Sequence, residues 1–418
     1  LNPLTDSINR KKIIPILLLT LLVAGSIFAL PLFLHQGQNT LGESGNGVDL
    51  PAPPPEPELP VSLEIVCVGD IMVHEPQIPS QYDSATGTYD YTNNFQYVKP
   101  YIEKADLALG NFEGTFGGAP YKGYPAFSAP DELATALKGA GFDVVITANN
   151  HMTDRGHDGV LRTLDVLEGK GLVTAGSRRD PAGPRYALTT VEGITVGVVA
   201  YTYETSGSGP EVSINGSFIP ERTVALLNSF SYNRLEGDMA KIGQTMTEAR
   251  KAGAELVILY LHWGEEYQRT PNQWQRQIAE KAAAELGADI IFASHPHVLQ
   301  EMALIPGRNP GQQVPVFYSM GNFISNQRQE TLQNRFTEQG MIARVNLEFM
   351  KSTGTITSLG IDATPTWVDR YKRNGKTVYE IIPLDDQLEN NPALMESGHL
   401  ERARQAREEI HGLLGITQ

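Results

Sequence analysis

Residues 288–297 read ADIIFASHPH. The apolar run 288–293 has the length and residue types of a buried strand, and two histidines follow it directly. If the strand continues, His295 and His297 at i and i+2 point the same way. They then reach one metal centre or two adjacent ones. The arrangement recurs upstream: Asp70 follows IVCVG, Glu113 follows DLALGNF, Asn150-His151 follow DVVITAN, and His262 follows LVILYL. In α/β sheets ligands gather beyond the carboxyl ends of the strands. Chance puts one such residue there; five groups at five strand ends point to a site.

Working outward, short apolar runs alternate with helical stretches from Leu63 onward. Strands are expected over 63–69, 106–110, 143–148, 184–190, 194–201, 256–262, 288–293 and 315–319. Helices are expected over 95–104, 131–140, 157–170, 238–253 and 271–286, with Asp131 as an N-cap and Gly141 and Gly171 as helix stops. This alternation predicts an α/β fold with covered sheet faces. A strand pair at 341–349 and 355–362, an irregular or hairpin segment at 364–385 and a charged helix at 397–414 follow.

The first 61 residues are different. Residues 13–34 form a 22-residue stretch without a charge, preceded by Arg10, Lys11 and Lys12. That length suffices to cross a bilayer, and the basic flank predicts that 1–12 stay in the cytoplasm. An uncleaved single-pass anchor in the cell membrane, with the C-terminal domain extracellular, is therefore expected over a cleaved signal peptide. Residues 35–61, ending in PAPPPEPELP, read as a Pro-rich, semi-rigid linker. The folded domain is expected at 62–362, with a C-terminal extension at 363–418 packing on it.

Composition narrows the chemistry. The formal net charge of −15 excludes nucleic acid as a natural partner, which needs clustered Lys and Arg. A metal site can still hold an anionic group, because the ions are the largest local charges. The single cysteine, Cys67, allows neither a disulfide nor a thiolate site and reads as a buried core thiol. Nitrogen and oxygen ligands without sulfur suit Zn, Mn or Fe. Two such ions can clamp a phosphoryl group and activate water. Each candidate also has a bland reading: Asp70 as a turn cap, Glu113 as a loop acid, His262 as a core histidine. Their company argues for ligation by Asp70, Glu113, Asn150, His262, His295 and His297. His74, Arg155 and Asn322 are candidate substrate contacts, His74 equally a ligand or a structural residue. The segment Tyr121–Pro125 reads either as a pocket wall or as a packed loop.

The motifs GDIMVH (69–74), GNFEG (110–114), TANNHMTDRG (147–156), LHWGEEY (261–267), SHPHVLQ (294–300) and YSMGNFI (318–324) resemble, in order, those of the poly-γ-glutamate capsule-synthesis family of the CapA type. That family is related to the calcineurin-like metallophosphoesterases. The resemblance implies a β-sandwich of two mixed sheets flanked by helices and a two-metal hydrolase of phosphoester-like bonds. It implies Asp70 and His297 on one metal, Asn150, His262 and His295 on the second, Glu113 bridging, and His151 as the catalytic acid or transition-state stabiliser. Implied partners are poly-γ-glutamate synthase subunits, an anionic substrate or polymer, and the lipid bilayer through 13–34. A non-catalytic assembly or export subunit is the alternative, as is action on the γ-glutamyl polymer itself. Two departures stand out: His74 replaces an arginine common in the family, and the Asp-x-His pair of the wider phosphoesterases is missing.

Overall fold

The computed structural model describes residues 58–205 and 211–416. An eight-stranded and a seven-stranded sheet share one apolar core. Three parallel strands of the first sheet carry half of the expected site: β1 (Val61–Ile71), β2 (Leu107–Phe112) and β3 (Val144–Ile146). In the second, β4 (Ile194–Tyr203) runs parallel beside β5 (Leu256–His262) and β6 (Ile290–Ser294), and the last two carry the other half. Antiparallel strands flank both sets, so each sheet is mixed. The expected α/β fold of two mixed sheets with helices is what the chain forms.

Period-two alternation sorts the side chains. Leu63, Ile65 and Cys67 of β1, and Leu256, Ile258 and Tyr260 of β5, face the shared core. Val66 and Val68 turn outward under Ile102, Leu133 and Leu137. Val257, Leu259 and Leu261 turn outward under Met239, Ile242 and Ile278. The layers therefore run helix, sheet, sheet, helix. His262 continues the inward phase of β5. Asp70 would break the inward phase of β1, but the pairing with β2 shifts between Val68 and Asp70. This bulge turns Asp70 away from the helix-covered face. A β-carbon on Gly69 would lie 2.0 Å from the Gly321 carbonyl oxygen, so only glycine fits there.

Several boundaries differ from expectation for identifiable reasons. The helix expected at 95–104 is two short ones, Thr92–Phe95 and Lys99–Glu103; Pro100 lacks the N–H a continuous helix needs and instead opens the second. Asp131 makes no capping bond to the helix Glu132–Gly139; its carboxylate is held by Arg162 at 2.7 and 2.8 Å. The helix expected from 271 starts at Gln273 through an Asn272–Gln275 capping box. Residues 364–385 are regular: Thr355–Arg373 runs unbroken through 362 and turns at Asn374-Gly375, both at positive φ, into Lys376–Pro383. Ala403, Ala406 and Ile410 of the C-terminal helix Leu400–Leu414 join the shared core.

The expected span at 13–34 lies outside the described residues. Among the described residues no helix is long and apolar enough to cross a membrane. The longest, Leu235–Lys251, has 17 residues and carries Glu236, Asp238, Lys241, Glu248, Arg250 and Lys251. The expected placement as a single-pass membrane protein with an extracellular domain is corrected on that finding.

Gly69→Ala should destabilise the protein by about 1–3 kcal/mol or more, the cost of overpacking against rigid backbone. Gly139→Ala, which meets open space in a helix, should stabilise by up to about 1 kcal/mol. Urea denaturation of both variants reads the contrast.

Candidate metal centre

The carboxyl ends of five of these strands converge. Asp70 comes from β1, Glu113 from the residue after β2, Asn150 and His151 from the turn after β3. His262 ends β5, and His295 and His297 follow β6. All seven side chains are buried. Ligand atoms of Asp70, Glu113 and His262 lie within 4.8 Å of one another, as do those of Glu113, His295 and His297. Glu113 belongs to both sets. These sets cut across the implied division of the histidines, in which His262 and His295 share an ion.

Glu113 decides the chemistry. Its carboxylate is fully buried, and neither oxygen has a hydrogen-bond donor among the described residues. Oε1 lies 3.8 Å from both His262 Nε2 and His297 Nε2. Burial, and next the nearby Asp70 charge, push its pKa well above the usual carboxylate range. An unpaired buried carboxylate demands a proton or a cation. Burial, and then the neighbouring histidines, hold His262 and His295 well below the usual imidazole value. Both rings are therefore neutral, the form that ligates. The Nδ1 atoms of both also lack partners among the described residues. Carboxylate oxygens without donors, facing the Nε2 atoms of His262 and His297, fit divalent cations.

The remaining residues brace this cluster. Asp70 Oδ1 accepts from Asn111 Nδ2 at 2.8 Å, and Asp70 Oδ2 sits 3.1 Å from His297 Nδ1. Asn149 Nδ2 donates to Asn111 Oδ1 and to the Phe112 carbonyl, locking the ends of β2 and β3 together. Asn150 Oδ1 lies 2.8 Å from His262 Nε2. His151 Nδ1 is 2.8 Å from Asp154 Oδ2, which also accepts from the Phe127 N–H. The strand does not continue through the two histidines: it stops at Ser294, and His295 and His297 take φ of 106° and 57°. Left-handed backbone, not strand alternation, brings their rings to 5.8 Å. Non-glycine residues hold such conformations at about 1–3 kcal/mol each, and functional sites concentrate them.

Three expected contacts stand further back. His74 joins neither ligand set; its Nδ1 accepts from the Asn326 N–H and its ring packs on Phe127. Burial, then the His297 charge, lower its pKa to about 3. Arg155 lies over Gly117 and Gly159, closer than a β-carbon would permit. Asn322 pairs in register with Asp70, its Oδ1 3.2 Å from His297 Nδ1 and its amide fixed by Gln327 and the Thr337 carbonyl. Asn111, Asn149 and Asp154 went unrecognised as braces in the sequence. The signal was present, since each lies within three residues of an expected site residue.

The chain matches the family described as bacterial capsule synthesis protein PGA_cap over residues 64–327. It is 32% identical over 274 residues to the capsule biosynthesis protein CapA of Bacillus anthracis, covering 63% of this chain and 60% of that protein. It is 29% identical over 334 residues to the PGA biosynthesis protein CapA of Bacillus subtilis, covering 77% and 78%. Among solved structures, the calcineurin-like phosphoesterase YfkN from Bacillus subtilis aligns with 82% of this chain and 99% of its own, at 14% identity and a TM-score of 0.39. A phosphatase from Mycoplasma pneumoniae aligns with 73% and 95%, at 13% and 0.40.

An acid whose pKa is raised by folding destabilises the fold as pH climbs above its unfolded value, about 4.3. Chelator-treated protein should therefore carry this Glu113 penalty between pH 7 and 8, where His262 and His295 are neutral in the folded protein. Glu113→Gln should raise the Tm of the chelated protein in that window. Mn at about a hundred times its Kd should stabilise the parent by about 2.7 kcal/mol and the variant far less. Thermal scans with and without Mn test both.

Proposed function

The chain belongs to the bacterial capsule synthesis protein family PGA_cap, and on that premise we propose that it serves capsule or poly-γ-glutamate biosynthesis as a metal-dependent hydrolase of phosphoester-like bonds. One observation carries the reading: the buried, donorless Glu113 carboxylate common to two sets of ligand atoms. Asp70, Glu113, Asn150, His262, His295 and His297 would hold two divalent cations, with Glu113 shared. When bound, such ions polarise a phosphoryl group and acidify water.

The chain's own groups do the rest. Asp154 holds His151 through Nδ1, which leaves Nε2 to deliver a proton to the departing oxygen. The Asn149–Asn111–Asp70 ladder keeps Asp70 from rotating away, as second partners of ligands do. Phe127, edge-on to His151 at 4.7 Å, removes water from one side of that ring and strengthens its pairing with Asp154.

The test uses the full chain. Stoichiometric divalent metal and chelator-sensitive turnover of a generic phosphomonoester or phosphodiester are expected. His295→Ala and His297→Ala should each lower turnover at least about a hundredfold, His151→Ala by about 10²–10⁴, and Asp154→Asn by about 10–100. Bound metal without turnover on any ester would replace this reading with a non-catalytic assembly subunit. Absence of both metal and turnover would reject the site altogether.

A further inference from the structure

Two exposed tyrosines flank the candidate centre. Tyr124 is 67% exposed, its ring centroid 6.2 Å from that of His151. Tyr267 is 37% exposed and stands 6.1 Å from the His297 ring. Tyr267 holds a φ of 66°, and its N–H donates at 2.7 Å to the carbonyl of Pro296, between the two histidines. A bulky residue adopts this backbone only where its surroundings impose it. Tyr124 stands mostly in solvent and Tyr267 about one-third so, and the two rings stand beside the two histidines of the centre.

From Tyr124 a groove of about 580 Å³ passes Asp154 and reaches Phe218, itself 60% exposed. Thr153, Asn215 and Ser217 put uncharged donors and acceptors along its walls. Across the mouth, Glu265 and Glu266 are exposed and form no ion pair among the described residues. Acids at the rim of a chain of charge −15 repel a polyanion. They accept hydrogen bonds from hydroxyl groups without penalty. Flat apolar faces beside uncharged hydrogen-bonding groups match a hexose, which presents C–H faces to aromatic rings and hydroxyls to amides and carboxylates.

We infer that the part of the substrate next to the scissile bond is a hexose, held at Tyr124 and Tyr267 and along the groove to Phe218, so that the centre acts on a glycosyl phosphoester. This rests on the hydrolase reading above. The step is hydrolysis: water adds to phosphorus, the bond from phosphorus to the sugar oxygen breaks, and a proton goes to that oxygen. The products are a sugar hydroxyl and phosphate.

Two measurements on the full chain test it separately from turnover. In the first, chelator-treated protein is mixed with methyl glycosides of glucose, galactose and N-acetylglucosamine, and saturation-transfer NMR reads sugar contacts. Transfer to the ring C–H protons of at least one glycoside is expected, and its loss in Tyr124→Ala/Phe218→Ala. In the second, KM is compared for the matching sugar 1-phosphate, methyl phosphate and adenosine 5′-phosphate. The sugar phosphate should have a KM at least about tenfold below the other two, the size of one lost aromatic contact, and the double variant should close that gap. No transfer in the parent, or transfer surviving the double substitution, overturns the inference even if esters are hydrolysed. So does a KM lowest for adenosine 5′-phosphate, which would make the rings a base clamp. Sugar contact without hydrolysis of any ester upholds the ring-binding groove and rejects the hydrolase reading instead.

Discussion

The Glu113 carboxylate is the constraint around which the rest is arranged. A carboxylate moved from water into a dry interior loses several kcal/mol of solvation. Donors or an opposite charge must return that energy, or the group takes a proton. Here no donor among the described residues reaches either oxygen. Imidazole nitrogens of His262 and His297 stand 3.8 Å away, and the His262 ring resists protonation because it is itself buried. A salt-bridged acid would have ended the matter within the protein. This one leaves a demand for positive charge at the meeting point of two sheets.

Meeting that demand requires the strand ends to arrive together, and the packing accounts for it. Both sheets bury their inner faces against each other, so side chains that keep the inward phase at the carboxyl ends of β1, β2, β5 and β6 converge on one volume. Where the phase fails, the backbone is bent to restore it. The bulge at Gly69 re-aims Asp70, and left-handed turns re-aim His295 and His297. Both devices spend stability locally, as functional sites tend to. Close packing of Gly69 on Gly321 and of Asp70 on Asn322 ties the first sheet to the loop that also holds His297.

Much of this was legible in one dimension. Apolar runs of five to seven residues ending in Asp, Glu, Asn or His marked β1, β2, β3, β5 and β6, because a doubly covered strand must be apolar until it leaves the core. The order of the motifs marked the family. Less legible were features in which one residue's meaning depends on a distant partner. Asp131 looked like a helix cap until Arg162, 31 residues on, claimed its carboxylate. His74 read equally as a ligand, a substrate contact or a structural residue; the Asn326 N–H, 252 residues on, holds its Nδ1. Three-residue strands such as Val173–Ala175 and Asn322–Ile324 are too short to show a period and exist only through their neighbours.

The sequence by itself determined the α/β alternation, the family and the residue types that gather at strand ends, because these follow from local burial and from spacing along one chain. Only the tertiary structure decided which of those residues meet. It put Glu113 in two ligand sets, drew Asn111, Asn149 and Asp154 in as braces, left His74 outside, and stood Tyr124 and Tyr267 at the mouth. The physical reason is that ligation and hydrogen bonding act over a few ångströms. The 41 residues between Asp70 and Asn111 are closed by the pairing of β1 with β2 inside one sheet, whereas the 227 between Asp70 and His297 are closed only when two sheets pack face to face.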